Sequence, residues 1–314
     1  MALPGVTTVI EDQFYALSRT EIPIGIRVLI LGRRNSTNIV AASAAEVPDL
    51  DVYTATSEKS VIQIFGEGSD LHRGYLEALA GGATRVLLVP LPEDTVFDDD
   101  NGEISSATYF ASLGGSTPAD NELFDVAFAA IESARADIIV PWGMGSHPDH
   151  WQDPATPGDD PDYIGFYADN SSVLANSWAK KVADKVAEIT ANSHPCFAIM
   201  GVKPYIAAST SEGGMTPAQV SSHLALSNLI DKEAFTAGDD DGGETGPYLV
   251  VVAGEIRPVR YNTRYSFGYA NGAATMAGSI TGLDSWSSPT GKSIYNVEAI
   301  RYNPTRTQQE ELIA

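Results

Sequence analysis

Residues 61–91 read VIQIFGEGSDLHRGYLEALAGGATRVLLVPL, and the fold class follows from how this stretch is parsed. A short apolar segment meets a Gly-x-Gly turn, then a helix, a double-glycine stop and a strand. Ser69 or Asp70 is placed to cap the helix, accepting amide hydrogens that its first turn leaves without partners. Leu71, Tyr75, Leu76 and Leu79 recur at roughly helical spacing. Gly81-Gly82 should end the helix, because glycine enters the left-handed conformation at no steric cost. Val86-Leu87-Leu88-Val89 is continuously apolar, as a strand covered on both faces must be. Gly66-Glu67-Gly68-Ser69 invites comparison with a phosphate cradle, since a glycine-rich turn entering a helix gathers amide donors. The third glycine of that fingerprint would stand at 71, where the chain has leucine, and Glu67 sets negative charge where phosphate would sit. A tight turn followed by a cap is therefore expected.

The same rhythm extends in both directions. Upstream, Ile22-Pro23-Ile24-Gly25 leads into a strand over Arg27–Gly32, and Val52–Thr56 is a second candidate. Downstream, residues 92–121 turn acidic and rich in glycine and serine, with Asp98-Asp99-Asp100-Asn101-Gly102 as a turn. A solvated surface excursion is expected there, because the alternating oxygen ligands of a calcium loop are not spelled out. Pro118 suits a first helical turn, and Leu123, Val126, Ala130, Ile131 and Ala134 form an apolar stripe behind it. Asp137–Pro141 reads as the next strand, Val173–Thr190 as a helix and Pro195–Gly201 as a strand. Thr216 caps a further helix running to about Phe235, Asp239–Gly246 is a turn, and Tyr248–Ile256 reads as one last strong strand. Residues 270–283 are small and glycine-rich, which favours close packing or a mobile tract. Strands alternating with helices predict an α/β fold with a mixed, mainly parallel sheet and helices on both faces.

Bulk properties bound the function. A chain of 314 residues, 43% hydrophobic and 19% charged, can bury a substantial core. A net charge of -22 argues against nucleic acid as a partner, since such surfaces need clustered Lys and Arg. The single cysteine, Cys196, lies in an apolar run and is expected to be a buried, inert thiol. Residues 1–10 have neither the basic start nor the apolar core of a signal peptide, and no apolar run approaches a membrane span. A soluble protein made in a reducing cytoplasm is the expectation.

Few motifs carry chemistry. Gly143-Met144-Gly145-Ser146-His147-Pro148-Asp149-His150 follows the strand at 137–141, where ligands of α/β sheets usually bind. His147, Asp149 and His150 are zinc-compatible donors, and the segment resembles the His-Pro-Asp-Asp motif of zinc-dependent sugar deacetylases. It departs from that motif at its second aspartate, where His150 stands, and His72, His194 and His223 are isolated. The nucleophile elbow of serine hydrolases is absent. Gly291-Lys292-Ser293 resembles the end of a Walker loop, yet Trp286 occupies the required earlier glycine. No intact catalytic centre is expected, and neither is a cofactor or a bound metal.

The order of the pieces is more telling. Pro4-Gly5-Val6 near the N-terminus, IPIGIRVLILG, FGEGSDL, GATRVLLVPL, DIIVPWG and finally SWSSPTGKSIYNVEAIRYNPTRTQQEELIA succeed one another as they do in contractile tail sheath proteins of bacteriophages and related injection machines. The chain resembles that family over nearly its whole length, as scattered short motifs. The resemblance implies a subtilisin-like central domain without a protease site. It also implies rings, usually of six subunits, stacked around a tail tube, with terminal arms that add strands to neighbouring subunits. Further copies of the chain, the tube protein, the baseplate and the tail terminator would be its partners, and the virion tail its location. No nucleic acid and no membrane insertion are implied.

On this reading residues 1–20 are an extended N-terminal arm, 21–117 an N-terminal α/β part with an acidic surface loop, and 118–288 the central α/β sheath domain. Residues 289–314 open a tube-facing C-terminal domain. Pro4, Gly5, Val6, Thr7, Thr8, Val9 and Ile10 are the expected inter-subunit segment, extended and β-branched; a frayed end would look the same. Ser288, Pro289 and Lys292 mark the implied hinge. Residues 92–121 are short for the β-sandwich insertion many sheaths carry. The amphipathic 305–312 should continue as a helix beyond Ala314, so the sequence is expected to be a truncated piece. The competing expectation is a zinc-dependent hydrolase or deacetylase using the HPDH loop.

Overall fold

A computed structural model describes residues 26–45, 47–98, 103–112, 122–144, 178–201, 248–252, 255–258, 270–281 and 297–300. The arm at 1–20, the HPDH segment, the helix expected at 216–235, the turn at 239–246 and the hinge at 288–292 lie outside the described residues.

The elements follow in chain order as β1 (Val28–Arg33), α1 (Ala41–Ala45), β2 (Tyr53–Ala55), α2 (Glu58–Phe65), α3 (Asp70–Gly81) and β3 (Val86–Leu91). Then come β4 (Val96–Asp98), β5 (Glu103–Ser105), α4 (Ala107–Ser112), α5 (Glu122–Ala134), β6 (Ile138–Pro141), α6 (Trp178–Asn192) and β7 (Phe197–Gly201). The last are β8 (Leu249–Val252), β9 (Glu255–Pro258), β10 (Ala270–Asn271), α7 (Ala273–Thr281) and β11 (Val297–Ile300).

Six strands form one sheet in the order β2-β3-β1-β6-β7-β8. Only β2 runs antiparallel; the other neighbours pair in parallel. Register places Leu29 beside Leu87 and Ile139, and Ile30 beside Leu88 and Val140. Alternate residues therefore feed two separate cores. Leu29, Leu31, Leu87, Val89 and Ile139 pack with α5 and α6, through Phe124, Phe128, Trp178 and Val182. Val28, Ile30, Leu88, Ile138 and Val140 pack with α2, α3 and α7, through Phe65, Leu71, Leu76 and Ala277. Each such side chain withdrawn fully from water contributes about 1.5–3 kcal/mol. The result is an α/β sandwich of three layers with a mainly parallel sheet. The boundary drawn at 117/118 falls between β3 and β6, two strands of this one sheet.

The stretch that decided the fold is built as its residues dictate. Gly66 and Gly68 have φ of 92° and 76°, and the Ser69 hydroxyl accepts from the His72 amide, so the segment is a turn and a cap. Gly82 closes α3 in the left-handed conformation, its amide donating to the carbonyls of Ala78 and Leu79. The short apolar segment that opens the stretch at Val61 is the end of a helix, residues 58–65, capped by Ser57 with Val61, Ile64 and Phe65 inward.

Four details differ from the sequence reading. Leu79 is exposed while Gly74, Glu77, Ala78 and Gly81 are buried, because α3 is enclosed by the sheet, α2 and α7 rather than on one face. Val126 is likewise exposed, and Phe124, Ala127 and Phe128 carry the inward face of α5. The 248–256 run is two strands in two sheets: β8 closes the large sheet, and β9 pairs with β10 and β11 in a small antiparallel one. The acidic excursion holds the β4–β5 hairpin, which buries Ile104 and sets Phe97 edge-on to Trp178.

Small residues at 273–281 allow α7 and α3 to meet backbone to backbone. Gly81 and Gly278 face each other so closely that a Cβ on Gly81 would stand 2.1 Å from the Thr275 carbonyl oxygen, and one on Gly278 2.1 Å from that of Ala78. Neither neighbour is a flexible side chain, so the helices must separate. Gly278→Ala is expected to lower stability by about 1–3 kcal/mol, seen as a lower urea midpoint at unchanged slope.

Candidate functional site at the carboxyl edge of the sheet

Crossover direction fixes where a site can form. The helices that follow β1, α2 and α3, lie on one face of the sheet, whereas α6, the next described element after β6, lies on the other. Neighbouring strands that depart to opposite faces open a crevice between their ends, and ligands of doubly wound sheets bind there. The Trp142 amide donates to the Leu31 carbonyl at 2.9 Å, so the exit of β6 stays tied to β1. The HPDH segment begins three residues after Met144.

Four segments converge on this edge: the end of β1, the start of α3, β4 and the exit of β6. Arg33, at the end of β1, donates from Nε to Asp70 Oδ2 at 2.7 Å, and its backbone amide reaches the same oxygen at 3.3 Å. Its guanidinium carbon lies 5.0 Å from the centre of the Phe97 ring. A Cβ on Gly143 would stand 3.3 Å from that ring and 3.5 Å from Asp70 Oδ2. Asp70, the alternative cap, thus serves as acceptor for β1 instead. Because Arg33 is 38% exposed, the pair contributes at most about 1 kcal/mol.

Beneath it lies a second polar group. Trp142 Nε1 donates to Glu77 Oε2 at 3.0 Å, and the Arg73 guanidinium stacks 4.9 Å over the Trp142 ring. Glu77 is 1% exposed, and its Oε1 has no hydrogen-bond partner, nor does Arg73 Nε. Burial pushes the Glu77 carboxyl up to about 7, with the nearby Asp70 adding to it; the Trp142 bond and the Arg73 charge pull the other way.

The histidines are structural where described. His72 is buried, takes a hydrogen bond on Nδ1 from the Gly68 amide at 3.0 Å and sets Nε2 3.3 Å from Glu58. Burial holds its pKa below the ordinary value, against the pull of Glu58. His194 Nε2 lies 2.6 Å from the Ala136 carbonyl oxygen. Cys196 is buried and burial raises its thiol, as an inert cysteine requires.

No family model matches the chain. Nor does any curated protein. Among the described residues no cluster of three or more His, Cys, Asp or Glu could hold a metal, and no helix is long and apolar enough to cross a membrane. The expected inter-subunit residues Pro4 to Ile10, the hinge residues and the zinc candidates His147, Asp149 and His150 all lie outside the described residues. The residues gathered at the edge, Arg33, Asp70, Arg73, Glu77 and Trp142, carry no motif. Arg73 and Glu77 stand four residues apart on α3, and Trp142, returning onto α3 from 65 residues later, covers the carboxylate.

Near this edge two opposed groups contribute to the pH dependence of stability. Glu77 has a folded pKa above its unfolded one, so its contribution is full below about pH 4.5 and is lost as pH rises to about 7. His72 is depressed, so its contribution is present above pH 6.5 and is lost as pH falls below that value. Relative to Glu77→Gln, the wild-type protein is expected to lose about 3 kcal/mol between these limits for Glu77, measured by urea denaturation at each pH.

Proposed function

We propose that this chain is a structural subunit of a contractile tail sheath, which polymerises around a tail tube and shortens to drive it through a host envelope. The observation that carries the reading is the order of short motifs, from Pro4-Gly5-Val6 through FGEGSDL and DIIVPWG to SWSSPTGKS. A mainly parallel α/β body with helices on both faces suits the subtilisin-like central domain of that family. Such a body, closely packed on two faces, can move as a rigid unit while extended arms keep neighbours joined. Residues 4–10 supply the strand added to an adjacent subunit, and Ser288, Pro289 and Lys292 the hinge. The partners are further copies in rings of six, the tube protein, the baseplate and the tail terminator, and the chain resides in the virion tail.

Removal of residues 1–20 is expected to leave a folded monomer that forms no tubes or rings in negative-stain micrographs, under conditions where the intact chain forms them. Tubes of normal appearance from the shortened chain would overturn the arm assignment. Metal analysis separates the rival reading: stoichiometric zinc that disappears in His147→Ala would favour a zinc-dependent hydrolase or deacetylase.

A further inference from the structure

Glu77 presents a problem that neither packing nor the sheath reading solves. A carboxyl group sealed in a core ordinarily has both oxygens bonded, because an unbonded buried polar atom is costly. Here one oxygen takes the Trp142 indole hydrogen, and the other has no hydrogen-bond partner. The nearest cation, Arg73, sits one helical turn earlier on α3, which is the spacing at which side chains on a helix meet. It is stacked on Trp142 instead, with its Nε buried and unbonded. Two groups with unused hydrogen-bonding capacity thus flank one indole ring.

We propose that Arg73 and Glu77 form a proton-controlled two-position switch at the exit of β6. With Glu77 neutral, Arg73 lies on the Trp142 ring. When Glu77 releases its proton to solvent, Arg73 swings to pair with the new carboxylate and uncovers that ring. Arg73 gains a cation–π contact in one position and charge-assisted hydrogen bonds in the other. The charge on Glu77 decides between them. Since Trp142 ties the end of β6 both to Leu31 and to α3, moving Arg73 alters how firmly that end is held.

Among the described residues the surroundings leave this pair in control. On α3 the other charged group acting on Glu77 is Asp70, which is engaged with Arg33 of β1. Packed against α3, β3 and α7 carry no charged residue, and α7 offers only the hydroxyls of Thr275, Ser279 and Thr281. On α2, Glu58 faces His72, and Lys59 is exposed. The proposal is independent of the sheath assignment.

The test uses the full chain and the emission of Trp142, taken as the difference between wild-type protein and Trp142→Phe. Followed from about pH 5 to about pH 9, this difference is expected to show one step, absent in Glu77→Gln. Arg73→Met keeps the stem that covers the ring but removes the charge that favours ionised Glu77, so its step should move up by roughly one pH unit. A step that persists in Glu77→Gln belongs to another group, such as His72, and overturns the proposal. So does the absence of any step in the wild-type protein. If Glu77→Gln does not fold, Arg73→Met decides, and an unmoved midpoint there is equally fatal.

Discussion

β1 has no solvent face, and that constraint governs the molecule. From Val28 to Leu31 every side chain is fully buried, so successive residues must each find an apolar layer, one above the sheet and one below. Parallel neighbours on both sides, β3 and β6, cannot be joined to it by tight turns and need helical crossovers. The crossover from β1 to β3 and the one from β3 past β1 to β6 travel in opposite directions, so right-handed connections pass over opposite faces. The helices α2 and α3 are thereby committed to one face, and α5 and α6 to the other.

Sequence exposed this much because the decisive signals were local. Continuous apolar runs such as VLLV mark strands buried on both faces, and Ser69 with Gly82 brackets α3 at both ends. Failures cluster where tertiary contacts outweigh periodicity. Nothing local distinguishes Leu79, exposed on α3, from Glu77, buried on it; the distinction comes from α7 and from Trp142, which arrive from far along the chain. The eight residues of α2 were too few to separate a buried helix from a strand by pattern alone. Tyr248–Ile256 is apolar as far as Ala253, and Gly254-Glu255 is a short local signal that does not by itself divide the run between two sheets. At the candidate site the polar residues are dispersed over 110 positions, Arg33 to Trp142, and no spacing rule joins them.

The carboxyl edge shows how a doubly wound sheet can use its switch point without a visible motif. Where other sheets of this class leave an opening between the ends of adjacent strands, the described part of this edge is occupied by its own side chains. Arg33, Asp70 and Phe97 cover it from above, and Arg73, Trp142 and Glu77 lie below. Charge is thus concentrated where four chain segments meet, and one member of the cluster, Glu77, has its carboxyl raised by burial.

The contact between Gly81 and Gly278 also bears on how the protein is made. It joins backbones separated by about 200 residues, a span that a ribosome translates in roughly 10–40 s. Throughout that interval the nascent α3 lacks the helix that covers it, leaving an apolar strip open to water. Closing so large a loop is slow for topological reasons, and the emerging chain is open to mispairing until it closes. The core on this face is therefore completed late in synthesis, and until then a chaperone that shields α3 would cover the surface that α7 later takes.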